Sequence, residues 1–192
     1  MTWLSRMFGG KTMQTLSTGS KAPDFTLLMM DNSTFSLQDA LSRGPVLLAF
    51  FKISCPVCQY AFPFFERIYR AHGGGPVANV GEPEDKASGG KVTIVGVSQN
   101  ERSDTKQFLK RFGVTFPILL DDTKTFPVSN AYGLTNVPTA FWIAQDGEIE
   151  IASVGWSKAE VQEMARKAAE ANNAKALPIF QPSEQVADFR AG

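Results

Sequence analysis

The sequence predicts a single α/β domain in which a mixed central sheet is flanked by helices. Two apolar runs, "PVLLAFFKI" and "KVTIVGVSQ", have the length and composition of buried strands, and each is followed by a segment with helical periodicity. Strands that alternate with helices pair in parallel, whereas Asp146-Gly147 between two alternating segments predicts an antiparallel hairpin. A chain of 192 residues is long enough for one such domain.

Local signals define the elements of the first half of the chain. Residues 1–18 show no clear period and are expected to form an N-terminal arm. Asp31 and Asn32 form a turn signal between two short strands, which predicts an N-terminal hairpin extension, and a brief helix is expected over residues 37–41. From Pro56 the apolar residues recur at spacings of four, three and four. This pattern predicts a helix, which its interior proline should kink.

The middle of the chain combines an insertion with two further helices. Residues 73–91 are rich in glycine, proline and charge, so they are expected to form a mobile insertion. After the second buried strand, a helix is expected to begin at Ser103 or Asp104 and to stop at Gly113. Pro127 then opens a small helix.

The last long helix and a tail complete the chain. Ser157, with a glutamate three residues later, forms a capping box at the start of that helix. The domain is therefore expected to span residues 19–173. Residues 174–192 are expected to be a tail packed on the domain through four apolar residues, Leu177, Ile179, Phe180 and Phe189.

Composition and charge exclude several classes of function. Lysine plus arginine and aspartate plus glutamate both number 19, so no net charge attracts nucleic acid or an anionic membrane. Two cysteines do not make a disulfide scaffold. The N-terminus lacks the apolar core of a signal peptide, and no apolar run approaches the roughly 18 residues of a membrane span. We therefore expect a cytoplasmic protein without nucleic-acid or membrane partners, of undetermined oligomeric state.

The chemistry of the protein points to Cys55 and Cys58, the only cysteines in the chain. Their spacing fits a redox couple, half of a metal site or a short structural disulfide. A metal site needs about four ligands, whereas the sequence adds only His72, near the far end of the same helix. A disulfide that closes so short a loop gains little from chain entropy. Redox chemistry without a metal or other cofactor is therefore the favoured interpretation.

The two cysteines are expected to have different roles because they occupy different places in the helix. Cys55 lies at the junction of a buried strand and a helix start, where free N–H groups and the helix dipole stabilise a thiolate. Pro56 fits the first turn, and Cys58 falls on the apolar face, where it should be buried. Gln59 and Tyr60 fall on the exposed face and are expected to be solvated. We therefore expect Cys55 to attack a substrate disulfide and Cys58 to resolve the mixed disulfide.

Four segments in order, "GSKAPDFTL", "VLLAFFKISCPVC", "IVGVSQN" and "YGLTNVPTAFWIAQDGEIE", resemble the thioredoxin-like redoxins. The TlpA/ResA-type thiol–disulfide oxidoreductases, which stand near the AhpC/TSA peroxiredoxins, are the most similar branch. The resemblance covers about residues 19–171 and implies a thioredoxin fold. It also implies that Pro138 follows a cis bond beside the cysteines and that the Val137 backbone pairs with substrate. The expected substrate-binding residues are Pro56, Val57, Val137 and Pro138.

The chain departs from the family pattern at three positions near the cysteines. Ser54 replaces the tryptophan that often precedes the first cysteine. Ala61 stands where the TlpA/ResA branch carries glutamate, and Ala49 stands where thioredoxins carry a buried aspartate. The usual proton acceptors for the resolving thiol are therefore missing. We expect Cys58 to keep a high pKa and the resolving step to be slow near neutral pH.

Three functions stay open at this point. The first is a thiol–disulfide oxidoreductase, expected to be a reductase, that acts on a protein or small-molecule disulfide and is recharged by an unidentified electron donor. The second is an antioxidant peroxidase, although the peroxiredoxin hydroxyl position before Cys55 holds Lys52. We expect Lys52 itself to be a strand-end lysine whose ammonium reaches water. The third is a binding module that uses the CxxC pair as a redox sensor.

Overall fold

The computed structural model describes residues 14–73 and 91–192, and the fold below refers to these residues. The strands are β1 (Thr26–Met29), β2 (Thr34–Ser36), β3 (Val46–Phe51), β4 (Thr93–Ser98), β5 (Ile118–Leu120), β6 (Thr139–Ile143), β7 (Ile149–Val154), β8 (Trp156–Ser157) and β9 (Phe189–Arg190). The helices are α1 (Leu37–Arg43), α2 (Pro56–His72), α3 (Arg102–Phe112), α4 (Pro127–Ala131) and α5 (Lys158–Ala171).

Seven of these strands form one mixed sheet in the order β2-β1-β5-β4-β3-β6-β7. Strand β3 pairs in parallel with β4, and β4 pairs in parallel with β5, as expected for strands joined through helices. The two predicted hairpins supply the antiparallel part. Strand β6 pairs with β3 and β7, and the β1–β2 hairpin extends the other edge through β5. The predicted α/β class with an N-terminal hairpin extension is confirmed.

Strand β3 is buried on both faces and separates two hydrophobic cores. Alternate residues from Leu47 onward face a core shared with α2, α3 and α5. The other residues, from Val46 onward, face a core shared with α1 and α4. Because side chains alternate along a strand, both faces of β3 require apolar residues, which explains its unbroken apolar run. Burial of each large side chain stabilises the fold by about 1.5–3 kcal/mol.

A buried carboxylate ties helix α2 to the segment before β5. Glu66 is 5% exposed and accepts hydrogen bonds from the Thr115 N–H at 2.7 Å, the Thr115 hydroxyl at 2.5 Å and Arg70 Nε at 2.7 Å. A charged group in a core costs free energy unless it is paired in this way. Pro63 lies inside the same helix, which continues to His72.

Helix α3 begins earlier than the sequence predicts. Glu101 is its N-cap residue, so Ser103 and Asp104 lie inside the first turn and neither is the cap. The N–H of Thr105 donates to the Glu101 carbonyl at 2.9 Å and closes that turn. The predicted stop at Gly113 is confirmed, since this residue adopts the left-handed conformation with φ of +64°.

The tail over residues 174–192 is anchored by only part of the expected apolar set. Ile179 is 4% exposed and belongs to the core on the α2 side, and Phe180 packs against that core. Leu177 and Phe189 are 52% and 63% exposed, so the expectation that they pack on the domain is wrong. Polar contacts add to the anchoring of the tail by Ile179 and Phe180.

The strongest of these polar contacts joins helix α2 to the tail. Arg67 donates to both carboxylate oxygens of Glu184, at 2.5 and 2.7 Å, and to the Ile179 carbonyl at 2.7 Å. The Arg67 guanidinium lowers the pKa of Glu184 to about 2. Such a two-pronged pair fixes the orientation of both side chains and so sets the path of the tail over the domain.

Much of the predicted arm and insertion lies outside the described residues. Of the arm over residues 1–18, the structure describes residues from 14 onward, and the Leu16 N–H donates to the Tyr132 carbonyl at 3.1 Å. Of the insertion over residues 73–91, the two ends are described, and Gly73 forms a parallel bridge with Val92. Over the described part of the chain, no helix is long and apolar enough to cross a membrane.

Replacement of Glu66 by alanine tests the link between α2 and the sheet. We expect the E66A variant to lose about 2–3 kcal/mol of unfolding free energy, since the Thr115 N–H and hydroxyl and the buried Phe116 N–H lose a charged acceptor. Chemical denaturation measures this loss. E163A is the matched control, because Glu163 pairs with Arg166 on the surface and its removal should cost less than about 1 kcal/mol. Equal losses in the two variants would contradict the proposed role of Glu66.

Candidate active site

Cys55 lies where strand β3 gives way to helix α2. The Cys55 N–H donates to the Lys52 carbonyl at 3.1 Å, which closes a turn after the strand. Cys55 is the N-cap residue of α2 and Pro56 is its first residue, as predicted. The N–H of Cys58 donates to Cys55 Sγ at 3.2 Å, so the sulfur takes the place of the usual capping oxygen. The reactive sulfur therefore lies at the positive end of the helix dipole.

The segment before strand β6 contacts the same sulfur. The thiol of Cys55 donates to the Val137 carbonyl at 3.1 Å, and the Val137–Pro138 bond is cis, as the resemblance implies. Pairing of β3 with β6, in which Ala49 faces Ala140, brings these distant parts of the chain together. The Val137 backbone therefore borders one side of the approach to Cys55 Sγ.

Cys58 is buried behind Cys55. Its side chain is 0% exposed and lies in the core on the α2 side, together with Ala49 and Ala61. Burial, and next the contact with the Cys55 side chain, raises the pKa of Cys58 well above its usual range. This direction agrees with the high pKa expected of a thiol without a neighbouring carboxylate, and the slow resolving step stays a prediction. The two thiols thus differ in access: while both are free, Cys55 is half-buried and Cys58 exposes no surface.

Two polar side chains that sequence reasoning missed hold the turn before Cys55. Asn100, which follows strand β4, accepts a hydrogen bond from the Ile53 N–H at 2.9 Å. Gln59 donates to the Ile53 carbonyl at 2.9 Å, so the expectation that Gln59 is solvated is wrong. The signal for Asn100 is a polar residue two positions after the end of β4, the buried strand that neighbours β3. Gln59 carries no comparable signal, because its partner is a backbone group.

The other predicted site residues lie close to Cys55 in the chain or across the β3–β6 pair. Pro56 is exposed and Val57 is half-buried at the start of α2. Val137 is half-buried, and Pro138, directly before β6, is buried. Lys52 is exposed, in agreement with a strand-end lysine. Substrate binding by these residues stays a prediction.

Potential metal ligands are sparse around the cysteines. Among the residues that the structure describes, no group of three or more histidine, cysteine, aspartate or glutamate side chains could hold a metal ion. His72 is buried near the end of α2, at the opposite end of that helix from Cys55. Catalysis without a metal or cofactor stays a prediction.

A protein-family model described as Redoxin matches residues 17–171. The chain belongs to the Redoxin family. It is 31% identical over 135 residues to the thiol–disulfide oxidoreductase ResA of Geobacillus kaustophilus, an alignment that covers 70% of this chain and 68% of that protein. It is 29% identical over 143 residues to ResA of Bacillus subtilis, covering 74% of this chain and 69% of the relative.

Solved structures agree on the fold. The thioredoxin domain of a thiol–disulfide oxidoreductase from Bacteroides vulgatus matches with a TM-score of 0.62 at 22% identity, covering 79% of this chain and 97% of that domain. A thiol:disulfide interchange protein from Bacteroides sp. matches with a TM-score of 0.61 at 21% identity, covering 83% of this chain and 92% of the other. The predicted thioredoxin fold is confirmed. The redoxin is of the TlpA/ResA type, and it is a thiol–disulfide oxidoreductase.

The pKa of Cys58 predicts how the resolving step depends on pH. Only the thiolate attacks a disulfide, and below the raised pKa the thiolate fraction grows about tenfold for each pH unit. We expect the release of a chromogenic aryl thiol from its mixed disulfide with Cys55 to accelerate about a hundredfold between about pH 6 and 8. Stopped-flow absorbance measures this rate. A rate that stays constant over that range would contradict the raised pKa, because Cys58 would then already be ionised at about pH 6 through a group that accepts its proton.

Proposed function

We propose that this redoxin reduces disulfides, with Cys55 as the attacking thiol and Cys58 as the resolving thiol. The observation that carries the proposal is the arrangement around Cys55 Sγ. This sulfur lies on the Cys58 N–H at the helix start and against the Val137 carbonyl, where a substrate can reach it. Cys58 lies directly behind it in the core.

The reaction proceeds in two exchanges. The Cys55 thiolate attacks one sulfur of the substrate disulfide, which forms a Cys55–substrate mixed disulfide and releases the other substrate sulfur as a thiolate. Cys58 then loses its proton to solvent and attacks Cys55 Sγ, which releases the second substrate thiolate and leaves a Cys55–Cys58 disulfide. Two electrons pass from the protein to the substrate, and water protonates the released thiolates. A dithiol donor must then reduce the protein again.

The reducing direction and the cytoplasmic location belong to the same proposal. A cytoplasmic pool of thiols keeps exposed dithiols reduced, so a protein in that compartment delivers electrons rather than withdraws them. A measured reduction potential close to that of strong oxidants such as DsbA, about −120 mV, would contradict it.

Replacement of each cysteine tests the roles. We expect C55S to lower insulin reduction to the uncatalysed background, because the attacking sulfur is gone, and C58S to accumulate a stable mixed disulfide with its substrate. Turbidity of the precipitating insulin chains and mass spectrometry measure these outcomes. S54A is the matched control, since Ser54 is exposed beside Cys55 and should leave the rate unchanged.

Hydrogen peroxide separates this proposal from an antioxidant peroxidase. We expect the reduced protein to consume peroxide no faster than an ordinary low-pKa thiol, since Lys52 occupies the position of the peroxide-binding hydroxyl. Rapid peroxide consumption that depends on Cys55 would overturn the reductase proposal. Retained partner binding with no exchange activity in any assay would instead favour a redox sensor.

A further inference from the structure

The segment over residues 189–192 reaches the carbonyl that contacts the reactive sulfur. Asn136 Nδ2 donates to the Gly192 carbonyl at 3.0 Å. A Cβ atom on Gly192 would lie 2.6 Å from the Val137 carbonyl oxygen, so the two backbones touch. That same oxygen accepts the hydrogen bond from Cys55 Sγ. The segment therefore occupies one side of the approach to Cys55.

Backbone contacts guide the chain to this place. The Ala187 N–H donates to the Tyr60 hydroxyl at 3.0 Å, and the Ala187 carbonyl accepts from Trp156 Nε1 at 2.6 Å. Strand β9 then pairs with β8. Gly155 permits the close passage that follows, because a Cβ there would lie 2.6 Å from the Arg190 carbonyl oxygen. The expectation that Tyr60 is solvated is wrong. Its hydroxyl accepts the hydrogen bond from Ala187, and its ring lies under the Arg190 guanidinium.

The segment is held firmly at one end and weakly at the other. Ala187 is half-buried and bonded on both sides, whereas residues 188–192 are all exposed. Beyond the short β9 pairing, the visible side-chain contacts are the Arg190 guanidinium 3.8 Å above the Tyr60 ring and the Asn136 bond to Gly192. An exposed segment with so few contacts can be displaced without opening the core.

We propose that residues 189–192 set the substrate class by favouring small-molecule disulfides over protein disulfides, an inference that rests on the proposed function of Cys55. A disulfide inside a protein carries chain on both sides of each sulfur, and this chain must share the space beside Val137 with the segment. A small disulfide carries no such chain, so it can reach Cys55 without occupying the space beside Val137 that residues 189–192 fill. Reduction of a protein disulfide therefore requires displacement of residues 189–192, which costs their contacts.

A variant that lacks residues 189–192 tests this inference. The assay compares the rate constants for reduced protein with insulin and with 2-hydroxyethyl disulfide, an uncharged small disulfide that Arg190 does not attract. We expect the deletion to raise the insulin rate about tenfold and to leave the small-disulfide rate within about twofold, since tenfold corresponds to about 1.4 kcal/mol of lost contacts. The thermal midpoint should change little, because the removed residues are exposed.

Two substitutions keep the test independent of the deletion. N136A removes the side-chain bond to Gly192 and should raise the insulin rate in the same direction by a smaller factor. F189A is the matched control, because Phe189 is 63% exposed and the segment contacts Val137 through its backbone, so its ratio of rates should equal that of the intact protein.

The outcomes distinguish the two proposals. An unchanged ratio of insulin to small-disulfide rates in the deletion variant would overturn the inference while leaving the reductase intact. A lower insulin rate would also overturn it, because the segment would then help to bind protein substrates. Failure of the intact protein and the deletion variant to react with either disulfide above the C55S background would overturn the proposed function itself.

Discussion

The burial of strand β3 on both faces is the constraint on which the rest of the structure depends. All six of its residues are buried, and they supply both hydrophobic cores. Their burial is worth on the order of 10 kcal/mol, which is comparable with the whole net stability of a typical domain. Because the strand cannot shift register without exposing one face, its end is fixed in space. That end carries the turn into α2, and so it fixes Cys55.

Paired polar groups then hold the loops around that end. Asp121 accepts hydrogen bonds from the N–H and hydroxyl of Ser129 at 2.8 and 2.7 Å and thereby positions α4. Asn100 and Gln59 hold the two backbone groups of Ile53 next to the reactive cysteine. Each buried donor or acceptor has a specific partner here, and such pairing selects one loop conformation over others of similar burial. The active-site geometry therefore depends on hydrogen bonds that fix the loops at the end of the buried apolar strand.

The two thiols show how one helix start creates two environments. Cys55 lies at the rim, against backbone donors and the Val137 carbonyl, while Cys58 is enclosed by apolar neighbours one turn further on. The same enclosure that protects Cys58 from outside reagents also disfavours its charged form. The enclosure of Cys58 therefore lowers both its access to reagents and its ionisation. The alanines at positions 49 and 61 supply no carboxylate to accept its proton.

The sequence by itself determined the order of strands and helices, the hairpins and the different environments of the two cysteines, because these follow from periodicity, turn chemistry and position along one helix. It also indicated that no carboxylate stands at positions 49 and 61 beside Cys58. Only the tertiary structure decided what surrounds Cys55. The contacts of Val137, Asn100 and Gly192 join parts of the chain that lie far apart in sequence. The predictions for Tyr60 (solvated) and Phe189 (packed) were wrong for the same reason. A helical or apolar pattern shows which face of an element a residue occupies. Whether that face is buried depends on which distant segment covers it.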